Sequence, residues 1–325
     1  MADEFRWGIL GTGGIAKTFA RDIQLLEGHA VGAIGSRKIE KADAFATEFS
    51  AQAFGSYEEL VHSDVDAIYV ATPHTLHASN SILALDAGKP VLCEKPFAVN
   101  AHEAESMIAA SQRNSVALME GMWSRFLPHY KVIREVVASG ELGDLVAIYA
   151  DHGQALPPEP YYRLHAPELA GGALLDLGIY PISLTFMLLG DPDSIMASSQ
   201  KTASGVDAQT SFIFSYISGV HSVMTTTLEV RTPCTAKIIG TRGRIEVDSN
   251  FYTPTSMRVV VDGKDSIEFP ANYKGHGIRE QAAHFAQVIR DGKLESELMP
   301  HFESLAIMEC MDEIRYQIGL KYPFE

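Results

Sequence analysis

Along the first 120 residues, runs of apolar and β-branched residues alternate with stretches whose apolar positions recur every three to four residues. RWGIL, AVGAIG, DAIYVA, PVLCE and VALMEG read as strands, and residues 15–26, 39–49, 76–87 and 101–110 read as helices between them. Strand and helix alternating in this way predict a parallel sheet covered on both faces. VGAIG and DAIYVA are nearly continuous in apolar residues, as strands buried on both sides should be.

After residue 140 the pattern changes. TSFIFSY, HSVMTTTLEV, TAKIIG, RIEV and SMRVVV follow one another with turn signals between them at Ser218-Gly219, Thr241-Arg242-Gly243 and Asp262-Gly263. One long helix, residues 171–189, precedes these hairpins, and helices over 279–290 and 300–318 follow. The expected fold class is α/β followed by α+β. A doubly wound parallel sheet of Rossmann type is expected over residues 1–121, and an open, mainly antiparallel sheet over 122–325. A chain of 325 residues is long enough for two such cores.

Composition narrows the class. The chain is 46% hydrophobic and 21% charged, as soluble globular proteins are, and its net charge of -15 excludes a general nucleic-acid or anionic-membrane surface. Cys93, Cys234 and Cys310 lie far apart without a C-x-x-C pair, so neither a disulfide framework nor a zinc site is expected. The start MADEFRWGIL is acidic and passes directly into a strand, unlike a signal peptide, and the expected location is cytoplasmic. GGALLDLGIYPISLTFMLLG, residues 171–190, is apolar enough to suggest a membrane span. Asp176 and Pro181 within it favour a buried helix.

The first strand runs into GTGGIA, with Gly11, Gly13 and Ala16 at the three small positions of a G-x-G-x-x-G/A turn and Thr12, Gly14 and Ile15 between them. The first glycine allows the bend and the second admits a pyrophosphate to the backbone. The third small residue lets the helix pack closely, and the helix N-terminus offers N–H donors to the anion. At the end of the second strand stand Ser36 and Arg37, with Lys38 and Lys41 following. NAD sites usually carry a carboxylate here, whereas a hydroxyl and a guanidinium suit the 2′-phosphate of NADP. NADP is the expected cofactor, and use of NAD stays open.

VATPHTLH brings Ala71, Thr72 and Pro73 to the C-terminal edge of the sheet, where such folds bind ligands. His74 and His77 lack a third ligand nearby, so no metal is expected; His77 either faces the cofactor or packs. CEKP places Glu94, Lys95 and Pro96 at the same edge, with a cis bond before Pro96 an expectation. GTGGIA, ATPHTLH, CEKP and GGALLDLGIYP, in this order, resemble the Gfo/Idh/MocA family of nicotinamide-dependent oxidoreductases over essentially the whole chain.

That resemblance implies a catalytic role for Lys95. The family's downstream pattern falls on Gly171-Gly172, Asp176 and Tyr180, where many members carry His at the last position. Tyr180, EGMWSRFLP and RLHAPELAGG look like the branch of dimeric dihydrodiol dehydrogenases, NADP-dependent aldose dehydrogenases and glucose–fructose oxidoreductases. Asp176 and Tyr180 at i, i+4 would share one helix face. A tyrosine titrates near 10 in isolation, and a neighbouring cation favours its phenolate, which gives Lys95 and Tyr180 as an acid–base pair. Lys95 itself as proton carrier stays open, and Asp176 would orient the substrate or the lysine. Pro181 should kink or restart the helix.

Trp123 and Arg125 after the sixth strand, Tyr161, Tyr162 and Arg163 in LPPEPYYR, and His276 beside Gly277 in YKGHG are the candidate substrate-binding residues. The expected activity is hydride transfer between NADP and an aldose or a trans-dihydrodiol. A nicotinamide-binding regulatory protein without turnover and an NAD-dependent glycoside-cleaving relative are the alternatives. The resemblance implies a homodimer or larger assembly through the outer face of the second sheet.

Overall fold

The computed structural model describes residues 4–325, so Met1–Asp3 of the acidic start lie outside the described residues. The chain divides into two units. The first runs to Phe126 and takes in Lys274–Leu305, and the second holds Leu127–Tyr273 and Ala306–Glu325. A single boundary after residue 121 leaves out this return of 274–305.

The first unit is built on six strands, β1 (Phe5–Leu10), β2 (His29–Gly35), β3 (Gln52–Phe54), β4 (Ala67–Val70), β5 (Val91–Glu94) and β6 (Leu118–Gly121). They lie in the order β3-β2-β1-β4-β5-β6 and pair parallel throughout. This is the doubly wound order, whose switch point lies between β1 and β4. Every residue of β4, β5 and β6 is buried, which is why these strands lack a polar alternate face. Helices α1 (Gly14–Ile23), α2 (Ile39–Ala46), α3 (Tyr57–Val61), α4 (His77–Asp86) and α5 (Ala101–Asn114) complete the alternation. Asn100 caps α5 by accepting from Glu103 N at 2.9 Å.

The returning segment is held by its own chemistry. Helix α8 (Arg279–Arg290), preceded in the chain by α6 (Pro128–Ala138) and α7 (Ile179–Leu189), buries Ala282, Phe285 and Ala286. The Phe285 ring lies 6.4 Å from Trp7. Asp22 of α1 is buried and accepts from the backbone N–H groups of His276, Gly277 and Arg279 at 2.8, 2.8 and 3.1 Å. A carboxylate at the start of α8 satisfies donors that the helix cannot. Leu118 of β6 donates its N–H to Leu294 O, and its carbonyl lies 2.8 Å from His301 Nε2. His301 opens α9 (His301–Gln317), the last helix.

The second unit carries eight strands, β7 (Leu145–Gly153), β8 (Ser194–Lys201), β9 (Asp207–Ser215), β10 (His221–Thr227), β11 (Ala236–Gly240), β12 (Gly243–Val247), β13 (Met257–Val261) and β14 (Ile267–Phe269). Their order is β14-β13-β12-β11-β7-β10-β9-β8, antiparallel except for the parallel pair β7 and β10. Ile148, Met224, Phe212, Phe214 and Ile238 fill the inner face, which α7 helps to cover. On the outer face one cross-strand row runs Glu268, Arg258, Glu246, Lys237, Tyr149, Val223, Ile213, Met196. Half of that row is ionic and half apolar, with Tyr149 47% and Met196 66% exposed.

The helix expected over 171–189 begins later and in another geometry. Leu174–Gly178 forms a π-helical turn, and the α-helix α7 restarts at Ile179, two residues before Pro181. Asp176 therefore sits in the π turn and Tyr180 in the α-helix that follows. Residues 167–189 are apolar enough to cross a membrane by length and composition, yet 83% of the tested window is buried inside the protein.

One glycine and one buried acid fix the start of this helical stretch. Gly172 has φ +121°, and a Cβ there would strike the Asp207 carboxylate. Asp207 is wholly buried and its Oδ2 accepts from Leu174 N and Thr210 Oγ1, both at 2.8 Å. Burial outweighs these bonds and pushes its carboxyl up to about 7. The unfolded chain loses that proton near 3.9, so the stabilisation is complete below about pH 4 and is lost as pH rises through about 7. Asp207→Asn keeps an acceptor and removes the titration. Its urea-unfolding midpoint should vary less than wild type between about pH 4 and 8, by the equivalent of a few kcal/mol; parallel curves for the two proteins would remove this role from Asp207.

Candidate active site

In the first unit the glycine turn follows β1 directly. Gly11 has φ +114°, and a Cβ built on it would lie 2.5 Å from the Ala71 carbonyl oxygen, so the close approach of β1 and β4 at this point demands glycine. A Cβ at Gly13 or Gly14 would meet nothing within 4 Å, which leaves the backbone open to a ligand. Helix α1 starts with no side-chain cap and no acidic residue in its first turn. Open backbone N–H groups at the head of a ten-residue helix fit a pyrophosphate. Ala16 is fully buried where helix meets sheet, while Thr12 and Ile15 are partly exposed.

The loop after β2 supplies the rest of that half. Ser36 is 7% exposed and its Oγ lies 3.4 Å from Lys38 N; Arg37 and Lys41 are exposed. Burial raises the Tyr57 phenol, and the nearby Arg37 cation opposes this shift. The residues present fit a dinucleotide bearing one more phosphate.

At the ends of β4 and β5 the structure joins two loops through His77. Its ring is 1% exposed, with Nδ1 2.8 Å from Pro96 O and Nε2 2.9 Å from Thr72 O. Burial first, then His74, pull its pKa down to about 3 against the two carbonyls. Of the two expectations for His77, facing the cofactor or packing, this geometry fits packing: both ring nitrogens are engaged by backbone, and the side chain ties the Thr72-Pro73 loop to the Lys95-Pro96 loop. Asn80 Nδ2 donates to Thr72 Oγ1 at 3.1 Å. Ala71 and Thr72 are buried and Pro73 partly exposed. The Lys95-Pro96 bond is cis.

Glu94, before the lysine, is 3% exposed and accepts a short hydrogen bond from the Tyr69 hydroxyl. Phe19 of α1 stacks on Tyr69, with centroids 3.7 Å apart and planes at 12°. Glycine-turn helix and E-K-P loop are thereby linked through one tyrosine that the sequence reading does not single out. Among the described residues, no three His, Cys, Asp or Glu side chains are grouped to hold a metal ion.

Of the substrate candidates in this unit, Trp123 and His276 are brought together, their rings 4.9 Å apart. Burial lowers the His276 pKa, and Asp22 opposes that shift. Arg125 is a correction. It is 1% exposed, its guanidinium 2.5 Å from Glu303 Oε1 and donating to Leu298 O at 3.3 Å, so it fastens the returning segment instead of offering a substrate anchor. Neighbouring Glu120 is buried, and its carboxyl is pushed up to about 7 by desolvation.

In the second unit Arg163 Nη2 lies 3.1 Å from Asp176 Oδ1, so a residue of the LPPEPYYR loop is paired with the acid of the π turn. Asp176 is 7% exposed and Tyr180 5%. Tyr161 is 42% exposed, and Tyr162 donates to Glu168 at 2.7 Å. Tyr180 packs with two residues that sequence reasoning missed, His152 at 5.2 Å and Tyr252 at 4.7 Å between ring centroids. A histidine at an inward position of a strand otherwise lined by Ile148 and Ala150 is the signal that could have revealed it.

Two family descriptions match the chain, an oxidoreductase family with an NAD-binding Rossmann fold over residues 5–122 and a GFO/IDH/MocA C-terminal domain over 130–246. The chain belongs to the Gfo/Idh/MocA oxidoreductases. Among curated members, a D-xylose 1-dehydrogenase (NADP(+)) of Hypocrea jecorina is 36% identical, the alignment covering 98% of this chain and 93% of the relative. A trans-1,2-dihydrobenzene-1,2-diol dehydrogenase of Xenopus tropicalis is also 36% identical, over 98% and 99%. The crystal structure of a 3-ketoreductase from Actinomadura kijaniata in complex with NADP and TDP-benzene is 25% identical with a TM-score of 0.86, covering 97% of this chain and 98% of that one.

The Gly11 geometry gives a direct test of this half of the Gfo/Idh/MocA site. Gly11→Ala should lower the thermal midpoint by the equivalent of about 1–3 kcal/mol, because it combines an unfavourable φ with a clash against backbone. A midpoint equal to wild type would show that β1 and β4 do not approach this closely.

Proposed function

We propose that this chain is an NADP-dependent dehydrogenase that moves a hydride between the nicotinamide and a hydroxyl-bearing carbon of an aldose or a trans-dihydrodiol. The observation carrying this reading is an open, uncapped glycine turn followed by Ser36 and Arg37 at the end of β2, in a chain 36% identical to an NADP-dependent xylose dehydrogenase. Gly11, Gly13, Gly14 and the head of α1 hold the pyrophosphate. Ser36, Arg37 and Lys41 hold the 2′-phosphate, and Ala71, Thr72, Pro73 and Glu94 line the cofactor on the E-K-P side. When bound, the cofactor supplies the hydride acceptor or donor.

Every other step belongs to side chains. Tyr180 takes the proton of the substrate hydroxyl in oxidation and returns it in reduction. Lys95 is assigned the supporting role, since the charge of an ammonium favours the ionised form of a phenol. Asp176, steadied by Arg163 at 3.1 Å, orients substrate hydroxyls. In the first unit His276, exposed beside the buried Trp123, offers a ring face of the kind the apolar side of a sugar or cyclic diol takes, and in the second unit Tyr161 offers another.

A second copy of the chain is proposed to cover the apolar half of the outer sheet face, the row from Tyr149 to Met196. A cytoplasmic location suits three buried thiols.

The deciding experiment is a panel of aldoses and dihydrodiols followed by nicotinamide reduction with each cofactor, where silence across the panel would reject the reading. Within it, Lys95→Met should cut kcat on the order of 10³-fold while NADP still binds. Arg37→Ala should raise KM for NADP much more than for NAD; equal effects would reject the phosphate assignment. Val223→Lys should convert a dimer in light scattering to a monomer, and an unchanged mass would locate the contact elsewhere.

A further inference from the structure

His152 lies at the inner end of β7 and is fully buried. Its Nδ1 is 3.1 Å from Leu177 O, and because a carbonyl only accepts, the proton sits on Nδ1. In the neutral ring Nε2 is then the acceptor, and Gln154 Nε2 donates to it at 2.9 Å. The same amide nitrogen lies 3.1 Å from Tyr252 Oη and donates its second proton there. The hydrogen bonds thus have a single direction fixed at one end by backbone, with Gln154 giving one proton to the imidazole and the other to the phenol.

The rings follow the same arrangement. His152 stacks on Tyr252 at 4.1 Å and 28°, and Tyr180 meets both, at 5.2 and 4.7 Å. Tyr252 cannot drift, because Phe251 N donates to Cys234 O at 3.0 Å and Phe251 O lies 3.0 Å from His129 Nε2. Leu177, the carbonyl that His152 holds, stands one residue after Asp176 and three before Tyr180, within the π turn. Thr226 Oγ1 reaches both His152 O and Ala173 O, at 3.1 and 3.3 Å, and fastens strand to turn.

We propose that His152 is a positioning residue that fixes both the π turn and the Tyr180 phenol, through a hydrogen-bond chain running from Leu177 through Gln154 to Tyr252. A histidine buried only for packing would touch apolar side chains. This one lies against the backbone between Asp176 and Tyr180 while its ring and that of Tyr252, joined to it through Gln154, both pack on the Tyr180 ring. The effect on turnover rests on Tyr180 being the proton carrier; the effect on the phenol does not.

The test reads both. Phenolate ultraviolet absorbance of the full-length protein is titrated, with Tyr180→Phe subtracted to isolate Tyr180. His152→Phe keeps a ring and removes both hydrogen bonds, so it should move the Tyr180 titration upward, as an apolar neighbour does. His152→Asn, whose amide restores the donor to Leu177, should return it part of the way. In turnover, His152→Phe should lower kcat about ten- to a hundredfold with KM for NADP unchanged. Gln154→Met, at a partly exposed position, should lower kcat in the same sense and guards against a His152 variant that does not fold. An unmoved Tyr180 titration in His152→Phe, or in Gln154→Met should His152→Phe not fold, would overturn the proposal. Failure of the wild type to oxidise any substrate would overturn only the assigned reaction, since the titration reads the phenol without it.

Discussion

Close packing of backbone at the C-terminal edge of the parallel sheet is the constraint on which the candidate site depends. Gly11 lets β1 come against the Ala71 carbonyl, and the rest of that edge is built outward from this approach. His77 spans from Thr72 to Pro96, so the β4 and β5 loops are set by one imidazole. Tyr69 links α1 to Glu94 through its stacked ring and its hydroxyl. Move any of these and the lysine after Glu94 moves with it. Two backbone carbonyls, the Glu94 carboxylate and a stacked aromatic pair satisfy this buried network, which makes it stiff.

The second unit solves a different problem with similar means. A helix rich in leucine must carry an acid and a tyrosine without losing its packing. The π turn at Leu174–Gly178 does this by breaking regular geometry where Asp176 sits, before α7 resumes. Asp207 from β9, Arg163 from a loop and His152 from β7 each hold a different part of that turn. Long-range support of this kind concentrates on few residues, so the geometry of the turn rests on these three side chains.

Much of this was legible in sequence, and the reasons differ by element. The Rossmann strands were readable because burial on both faces makes them continuously apolar, and Arg279–Arg290 because its apolar positions keep helical spacing. GTGGIA was readable because its geometry is local, while CEKP and the Asp176/Tyr180 pair stood out through the resemblance to the family. The strand β8, SIMASSQK, was not: as an edge strand exposed at alternate positions it has no apolar face to recognise. The helix start at 171 was placed too early because a π turn has the same composition as an α turn. Arg125 looked like an anchor because its partner Glu303 lies far along the chain. His77, Tyr69 and Tyr252 act through neighbours that no spacing rule reports, and His152 shows in the sequence only as a polar residue at an inward strand position.

The discontinuity of the first unit has a bearing on biosynthesis. Trp7 near Phe285, Asp22 under the head of α8, and Arg125 against Glu303 are contacts between the stretch that carries the parallel sheet and one translated long after it. Until residue 305 has left the ribosome, the nascent sheet lacks one of its covering helices and presents bare apolar surface. Completion of this half therefore waits on synthesis of the whole intervening second sheet. Synthesis and final folding are coupled here more like a clasp closed last than like beads threaded in order.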